Sequence, residues 1–145
     1  GDEFLRSKNR VKNSFNSNDP RVNPIDWGLK TANRGVFDFY RGMIAIRKAH
    51  PAFRMSEKAD VDRSLQFTPG LPKTTVAYLL RDHANGDTWK DILVVYNGGT
   101  KPQELTVPGT WTVVANDRKA GLEPLGTLSG KARVNPASLI VAHRD

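Results

Sequence analysis

Between Gly35 and Ala49, hydrophobic residues recur at three- and four-residue steps. This spacing places their side chains on one face of a helix, as in an amphipathic helix. Pro51 disfavours helical geometry in the residue before it, and Arg47 and Lys48 lie in the last turn, where cations complement the helix dipole. We predict a helix over residues 35–49 whose large apolar face has no covering partner upstream in this chain.

Beyond residue 59 the hydrophobic period changes to two, which is typical of strands. The predicted strands are Val61–Phe67, Thr75–Arg81, Ile92–Asn97, Gln103–Val107, Trp111–Ala115, a weak Leu122–Leu125, Ala132–Val134 and Ser138–His143. Asn85-Gly86 marks a hairpin between the second and third strands. Six to eight short strands joined by turns predict an antiparallel β-sandwich over residues 55–145, with residues 1–54 as a separate region.

The segment Gly1–Trp27 is polar and follows neither a helical nor a strand period. About 25 residues is long for a loop in a compact domain, and such loops are usually either disordered or functional. The interleaved Phe15, Val22 and Ile25 argue against disorder, because a solvated tail has little reason to carry apolar side chains. We expect an ordered functional loop.

Composition narrows the class of protein. No apolar run approaches the ~20 residues that cross a bilayer, and the absence of cysteine excludes disulfides and thiolate metal sites. The net charge of +7 is uneven, since residues 1–54 hold 11 Lys+Arg and 5 Asp+Glu whereas residues 55–145 hold 11 and 10. The basic side chains nearest the N-terminus are Arg6, Lys8, Arg10 and Lys12. No nucleic-acid recognition motif accompanies this charge, so a solvated loop is the favoured interpretation.

Few residues suggest catalytic or metal chemistry. His50, His83 and His143 lack the spacing of metal ligands, so a metal site built from them is disfavoured. Asp2 and Glu3 form a carboxylate pair, which a glycosidase requires. Because neighbours on an extended chain point to opposite faces, these two cannot flank one bond, and we expect them to close a strand end instead.

The loop combines polar donors and acceptors with flat aromatic rings. The polar residues are Asn13, Asn16, Asp19, Arg21, Asn23 and Asp26, and the rings are Phe15 and Trp27. Sugars require this mixture, because their hydroxyls take paired hydrogen bonds while the C–H face packs on an aromatic ring. Asn, Asp and Ser also form turns by bonding their own backbone, so composition alone leaves both interpretations open.

Three sequence blocks carry a family resemblance: GDEFLRSK, NSFNSNDPRVNPIDW and VFDFYRGMIAIRKAHPAFR. In this order and at this spacing they resemble the C-terminal end of type I pullulanases, in the alpha-amylase superfamily of glycoside hydrolases. The resemblance implies that the complete enzyme hydrolyses α-1,6-glucosidic bonds, with retention, in pullulan, amylopectin or limit dextrin. An isoamylase or glycogen-debranching relative is the alternative enzyme, and a non-catalytic β-sandwich that binds polysaccharide or a partner is the alternative of another class.

The resemblance also implies an architecture. Gly1–Phe4 would be the end of the eighth strand of a (β/α)8 TIM barrel, and the helix over residues 35–49 the eighth barrel helix. The loop between them would lie at the C-terminal face, where such barrels keep their active sites. The catalytic Asp, Glu and Asp of the family would lie upstream, in an N-terminal remainder of the enzyme. We therefore expect no catalytic residue in this chain and no activity from it alone.

The substrate-binding residues that the resemblance implies are Asp19, Asn23, Arg21 and Asn16. The family's Asp aligns with Asp19 and its following Asn with Asn23. In relatives that Asp, with a polar residue five positions on, contacts glucose units of the substrate. Here Pro24 occupies the second position and cannot donate a side-chain hydrogen bond. Trp27, at the return of the loop, is expected to anchor in the core, and so are Trp89 and Trp111.

No cofactor is predicted for the chain itself, and the resemblance leaves calcium binding by a complete enzyme open. The expected partners are an α-glucan and the N-terminal remainder of the enzyme, with neither nucleic acid nor membrane. Secreted and cytoplasmic localisation in a bacterium both stay open.

Overall fold

The computed structural model describes all 145 residues, which divide into two compact units, Gly1–Tyr40 and Arg41–Asp145. The α-helices are α1 (Gly28–Ala32), α2 (Arg34–Ala49) and α3 (Lys58–Ser64), with short 3-10 helices at Asp2–Phe4, Ser14–Asn16, Pro51–Arg54 and Ala84–Gly86. The strands are β1 (Leu65–Phe67), β2 (Thr75–Leu80), β3 (Asp91–Asn97), β4 (Gln103–Ala115), β5 (Gly126–Val134) and β6 (Ser138–Arg144). None of the helices has the length and apolar character needed to span a membrane.

All six strands form one antiparallel sheet in the order β1-β2-β3-β6-β4-β5. The prediction of an antiparallel β domain is confirmed. No parallel pair occurs, so no (β/α)8 barrel lies within this chain. The central strand β3 pairs with β2 on one side and with β6 on the other.

Five of the six strands, β2 to β6, contribute side chains to one hydrophobic core. Leu105 and Val107 of β4 pack in the same cluster as Leu93 and Val95 of β3. Trp111 is 3% exposed in this cluster, as expected for a core tryptophan. Strands that are not neighbours in the sheet, such as β3 and β4, therefore share one core.

The opposite face of β2, β3 and β6 is covered by the end of helix α2. Ile46 is 2% exposed and packs in a second core with Ile92, Val94 and neighbouring apolar residues, and Met43 packs against the same core. The sequence offers no upstream partner for this helix face, and the structure shows that the sheet that follows in sequence covers its last two turns.

Two predicted strand assignments are wrong. Residues 61–64 of the proposed strand Val61–Phe67 belong to α3, where Lys58 pairs with Asp62 and Arg63 with Asp60. Such pairs at three- and four-residue spacing favour a helix, and they outweigh the short alternation of apolar residues. The weak strand Leu122–Leu125 does not form.

The strands predicted as Gln103–Val107 and Trp111–Ala115 are one strand, β4. The chain passes Pro108 and Gly109 through a β-bulge, where the register with β5 shifts. Gly109 has a φ of 83°, which costs glycine little because it has no Cβ. A Pro-Gly pair therefore bends this strand without ending it.

Gly1–Phe4 is not a strand end, because Asp2–Phe4 forms a 3-10 helix. The carbonyl of Gly1 accepts hydrogen bonds from the backbone N–H of Phe4 at 3.2 Å and of Arg6 at 3.0 Å. This carbonyl is therefore paired inside its own turn. Phe4 is buried at 2% exposure, and Glu3 lies 3.1 Å from the N-terminal amine.

Candidate functional site

The polar loop is ordered by hydrogen bonds that converge on Ser14, a buried residue at the start of the 3-10 helix Ser14–Asn16. The Asn23 side-chain amide donates to the Ser14 carbonyl at 2.8 Å. The Lys8 ammonium donates to the Ser14 hydroxyl, also at 2.8 Å. These contacts join three separate parts of the loop, which supports the expectation that it is ordered.

Arg6 ties the beginning of the loop to its return. Its guanidinium donates to the backbone carbonyls of Asn23 and Pro24. Val22, next to this contact, is 5% exposed. Arg6 and Lys8, two of the four basic residues near the N-terminus, therefore hold the loop together.

Asp19 and Arg21 form the most ordered charged pair of the loop. Two guanidinium nitrogens of Arg21, Nε and Nη2, donate to the two carboxylate oxygens of Asp19 at 2.9 Å each. The backbone N–H of Arg21 donates to the same carboxylate at 2.9 Å, which closes an Asx turn. The side-chain hydrogen bond from Arg21, together with this backbone bond, lowers the pKa of Asp19. Asp19 is therefore a carboxylate at neutral pH, held in one orientation.

The four predicted binding residues differ in how much of their hydrogen-bonding capacity is free. Asn23 uses its amide N–H on the Ser14 carbonyl, so only its side-chain oxygen remains. The Asn16 side chain is exposed and has no hydrogen-bond partner in this chain. Arg21 is 86% exposed and Asp19 is 36% exposed as side chains. Asp19, Arg21 and Asn16 lie within six residues of one another, and each can bind a polar ligand.

Two aromatic rings of the loop are exposed. Phe15 follows the buried Ser14 directly and is 80% exposed. Trp27 is 65% exposed and contacts the buried Phe4, with ring centroids 5.8 Å apart. The prediction that Trp27 anchors in the core is wrong for this chain, because most of its side chain is exposed. The exposed rings add flat apolar surface to the polar groups of the loop.

No group of three or more His, Cys, Asp or Glu side chains has the arrangement of a metal site. Two histidines nevertheless approach each other, since the rings of His50 and His143 stack on opposite faces of Trp89. Their separation in sequence hides this arrangement, which depends on the strand register of the sheet.

Comparison with known proteins identifies relatives of the chain. Residues 61–119 match the family model "Pullulanase, all-beta domain". The chain is 37% identical over 108 residues to the pullulanase of Bacillus subtilis (strain 168), an alignment that covers 74% of this chain and 15% of that protein. It is 28% identical over 119 residues to the isoamylase of Pseudomonas amyloderamosa, with the same coverage of 74% and 15%.

Solved structures give the same result over nearly the whole chain. The pullulanase of Bacillus acidopullulyticus has a TM-score of 0.92 and 39% identity, covering 99% of this chain and 18% of that one. A pullulanase of Anoxybacillus sp. LM18-11, solved in complex with maltotriose, has a TM-score of 0.87 and 30% identity, covering 100% of this chain and 20% of that one. The chain thus spans about a sixth to a fifth of the length of these relatives.

Proposed function

Given that the chain is related to pullulanases, we propose that it is part of a debranching glycoside hydrolase. The complete enzyme cleaves α-1,6-glucosidic bonds in pullulan, amylopectin or limit dextrin with retention. The observation that carries this proposal is the likeness to a pullulanase over 99% of the chain, which includes the polar loop as well as the β domain.

Residues 1–54 are proposed to complete a (β/α)8 barrel in that enzyme, and residues 55–145 to form its C-terminal β-sandwich domain. The exposed apolar side chains of the first region support this assignment. Ile44 is 56% exposed and Tyr40 is 44% exposed on helix α2, in addition to Phe15 and Trp27 of the loop. Apolar surface of this kind usually marks a contact with another protein segment or with a ligand.

The catalytic carboxylates are proposed to come from the N-terminal remainder of the enzyme. Retaining hydrolysis requires two carboxyl groups about 5 Å apart, one as nucleophile and one as acid and base. In the loop, the Asp19 carboxylate is paired with Arg21, so it does not fit the role of a protonated general acid. The chain alone is therefore expected to be inactive.

Asp19 is proposed as the main glucan contact of this chain, with Arg21, Asn16 and Asn23 around it. An ionised carboxylate accepts hydrogen bonds from sugar hydroxyls more strongly than a neutral oxygen does. Arg21 holds this carboxylate in place, so little conformational entropy is lost when a sugar binds. The side-chain oxygen of Asn23 and the free amide of Asn16 supply further polar contacts, and Phe15 offers a face for a sugar ring.

An isoamylase-like activity is the second candidate, because an isoamylase is also among the relatives at 28% identity. The higher identity to a pullulanase, 37%, favours the first candidate. The two activities separate on substrate choice, so the complete enzyme is assayed on pullulan and on glycogen at equal mass concentration. Preferential release of reducing ends from pullulan supports the pullulanase, whereas preference for glycogen supports the isoamylase.

The proposal is tested against a non-catalytic role with the complete protein and the isolated chain in parallel. We expect the complete protein to release reducing ends from pullulan with the α-anomer formed first, as NMR of the fresh product shows. The isolated chain should release none. A complete protein that retains starch in a pull-down but cleaves no α-1,6 bond would support a polysaccharide-binding module instead.

A further inference from the structure

Three flat rings from distant parts of the sequence form one stack in the β domain. The ring centroids of His50 and Trp89 lie 3.2 Å apart with planes at 14°. The centroids of Trp89 and His143 lie 4.0 Å apart with planes at 7°. One indole therefore has an imidazole on each face.

The stack joins the end of helix α2 to the centre of the sheet. His50 directly follows α2 and precedes the 3-10 helix Pro51–Arg54. Trp89 lies in the turn before β3, and His143 lies in β6, where it pairs in register with β3 and β4. Contacts across this stack therefore help to hold the end of α2 against the sheet.

A buried carboxylate fixes one side of the stack. Asp87 is 3% exposed, and its oxygens accept hydrogen bonds from His50 Nδ1 at 2.8 Å and from the backbone N–H groups of Ala52 at 3.0 Å and Trp89 at 2.9 Å. Since an ionised carboxylate only accepts, His50 Nδ1 carries a proton. The Asp87 carboxylate can therefore balance a positive charge on His50.

On the other side of the stack, the carboxylate near His143 is exposed rather than buried. His143 Nδ1 is buried and makes no hydrogen bond, although it lies 3.4 Å from a carboxylate oxygen of the exposed C-terminal Asp145. Burial lowers the pKa of His143 and outweighs the opposing attraction of Asp145 and Asp87, while the nearby His50 lowers it further. Burial therefore disfavours a proton on His143 more strongly than the exposed Asp145 favours it.

Few other charged groups belong to the elements that pack around the stack. Arg144 points away from it, since its guanidinium binds Asp91 and lies over Trp111. Other titratable groups on these elements are the basic Arg47 and Lys48 at the end of α2, Arg54 after His50, and His83 and Lys90 in the turn before β3, together with the exposed acidic Asp82 in that turn. Arg47 and Arg54 donate to backbone carbonyls, and His83 Nδ1 lies 3.0 Å from the backbone carbonyl of Asp87. Of the carboxylates, Asp91 binds Arg144 and Asp87 binds His50, so the exposed Asp145 is left to balance a charge on His143.

We propose that the His50–Trp89–His143 stack is an acid-sensitive clasp that holds the end of helix α2 on the sheet at neutral pH and loosens when His143 is protonated. Linkage between proton binding and folding gives the direction of the pH dependence. A histidine that is held neutral in the fold stabilises it fully above the unfolded pKa of about 6.5, and this contribution is lost as the pH falls. One extra proton bound on opening raises the opening constant by at most about tenfold per pH unit. This inference does not depend on the proposed hydrolase activity.

The test measures local opening of α2 in the 145-residue chain by amide hydrogen exchange of residues 43–49 between about pH 7.5 and pH 5. After correction for intrinsic exchange, we expect the opening constant in the wild type to rise as the pH falls below about 6.5. His143→Gln removes the titrating group and should give a nearly flat profile. His83→Gln, which changes a histidine outside the stack, should retain the wild-type profile.

A second measurement uses the wild-type chain, so it remains possible if the His143→Gln variant fails to fold. The ring protons of His143 in the wild-type chain are titrated by NMR, and a midpoint below that of a free histidine is expected. A midpoint at or above about 6.5, or a His143→Gln profile with the same slope as the wild type, would overturn the clasp.

Discussion

The Arg21 guanidinium donates two hydrogen bonds of 2.9 Å each to the Asp19 carboxylate, one to each oxygen. This fork geometry is the strongest form of a side-chain ion pair, although at an exposed site its contribution to stability is small. Its value here lies in orientation, since it presents a charged acceptor in one position beside the free amide of Asn16.

Replacing Asp19 by alanine in the complete enzyme should lower kcat/KM on branched substrate by roughly ten- to a hundredfold, the range for losing one charged hydrogen bond. The measurement is steady-state hydrolysis of pullulan. Asp62→Ala is the matched control, because Asp62 is an exposed carboxylate in α3 that is also paired with a basic residue. Unchanged kinetics in a folded Asp19→Ala enzyme would remove Asp19 from the site.

Helix α2 offers a matched pair of isoleucines. Ile46→Ala removes a buried side chain and should lower the free energy of unfolding by about 2–5 kcal/mol. Ile44→Ala changes a side chain that is 56% exposed and should shift it by less than about 0.5 kcal/mol. Urea unfolding of the 145-residue chain measures both. Equal losses would show that the sheet does not cover this helix in solution.

Two glycines of the same helix should respond in opposite directions. A Cβ at Gly42 would overlap the backbone carbonyl oxygen of Ala120, whereas a Cβ at Gly35 meets no atom within 4 Å. Gly42→Ala should therefore destabilise the chain by about 1–3 kcal/mol or more. Gly35→Ala should be neutral or stabilise it by up to about 1 kcal/mol through helix propensity. Thermal unfolding distinguishes the two, and a neutral Gly42→Ala would contradict the close approach of α2 to Ala120.

Because the Tyr78 hydroxyl is partly buried, we expect the chain to lose stability at alkaline pH. Burial, reinforced by the neighbouring Tyr96, raises the pKa of Tyr78 well above its ordinary value. A group with a raised folded pKa stabilises the fold below its unfolded pKa, about 10 for tyrosine, and this stability is lost as the pH rises further. Tyr78→Phe should flatten the dependence of the unfolding free energy on pH above about 10, whereas Tyr40→Phe, at an exposed position, should leave it unchanged. Parallel alkaline profiles for wild type and Tyr78→Phe would contradict the burial of this hydroxyl.

Local patterns of the sequence predict helix α2 and the central strands well. The observed α2, Arg34–Ala49, differs from the prediction by one residue, because a sustained amphipathic period and Pro51 leave few alternatives. The sequence just before β1 fits two assignments. Val61 and Leu65 suit a strand, whereas the charge pairs made by Lys58 and Arg63 suit a helix. A 3-10 helix such as Asp2–Phe4 is too short to show a period at all.

The site could be predicted only in part. Asp19 and Arg21 stand two positions apart, so an Asx turn and an ion pair follow from local chemistry. The hydrogen bond from the Asn23 amide to the Ser14 carbonyl joins residues nine positions apart, so composition does not reveal it. The stack on Trp89 depends on the register of β6 with β3. His50, Trp89 and His143 are far apart in sequence, so no local pattern reveals their contact.

The most direct test of the central claim is a crystal structure of the complete enzyme with maltotriose. A glucose hydroxyl should lie within hydrogen-bond distance, about 2.7–3.2 Å, of the Asp19 carboxylate while Arg21 still holds it. Maltotriose bound in the active-site cleft with the polar loop remote from every sugar unit would contradict the claim.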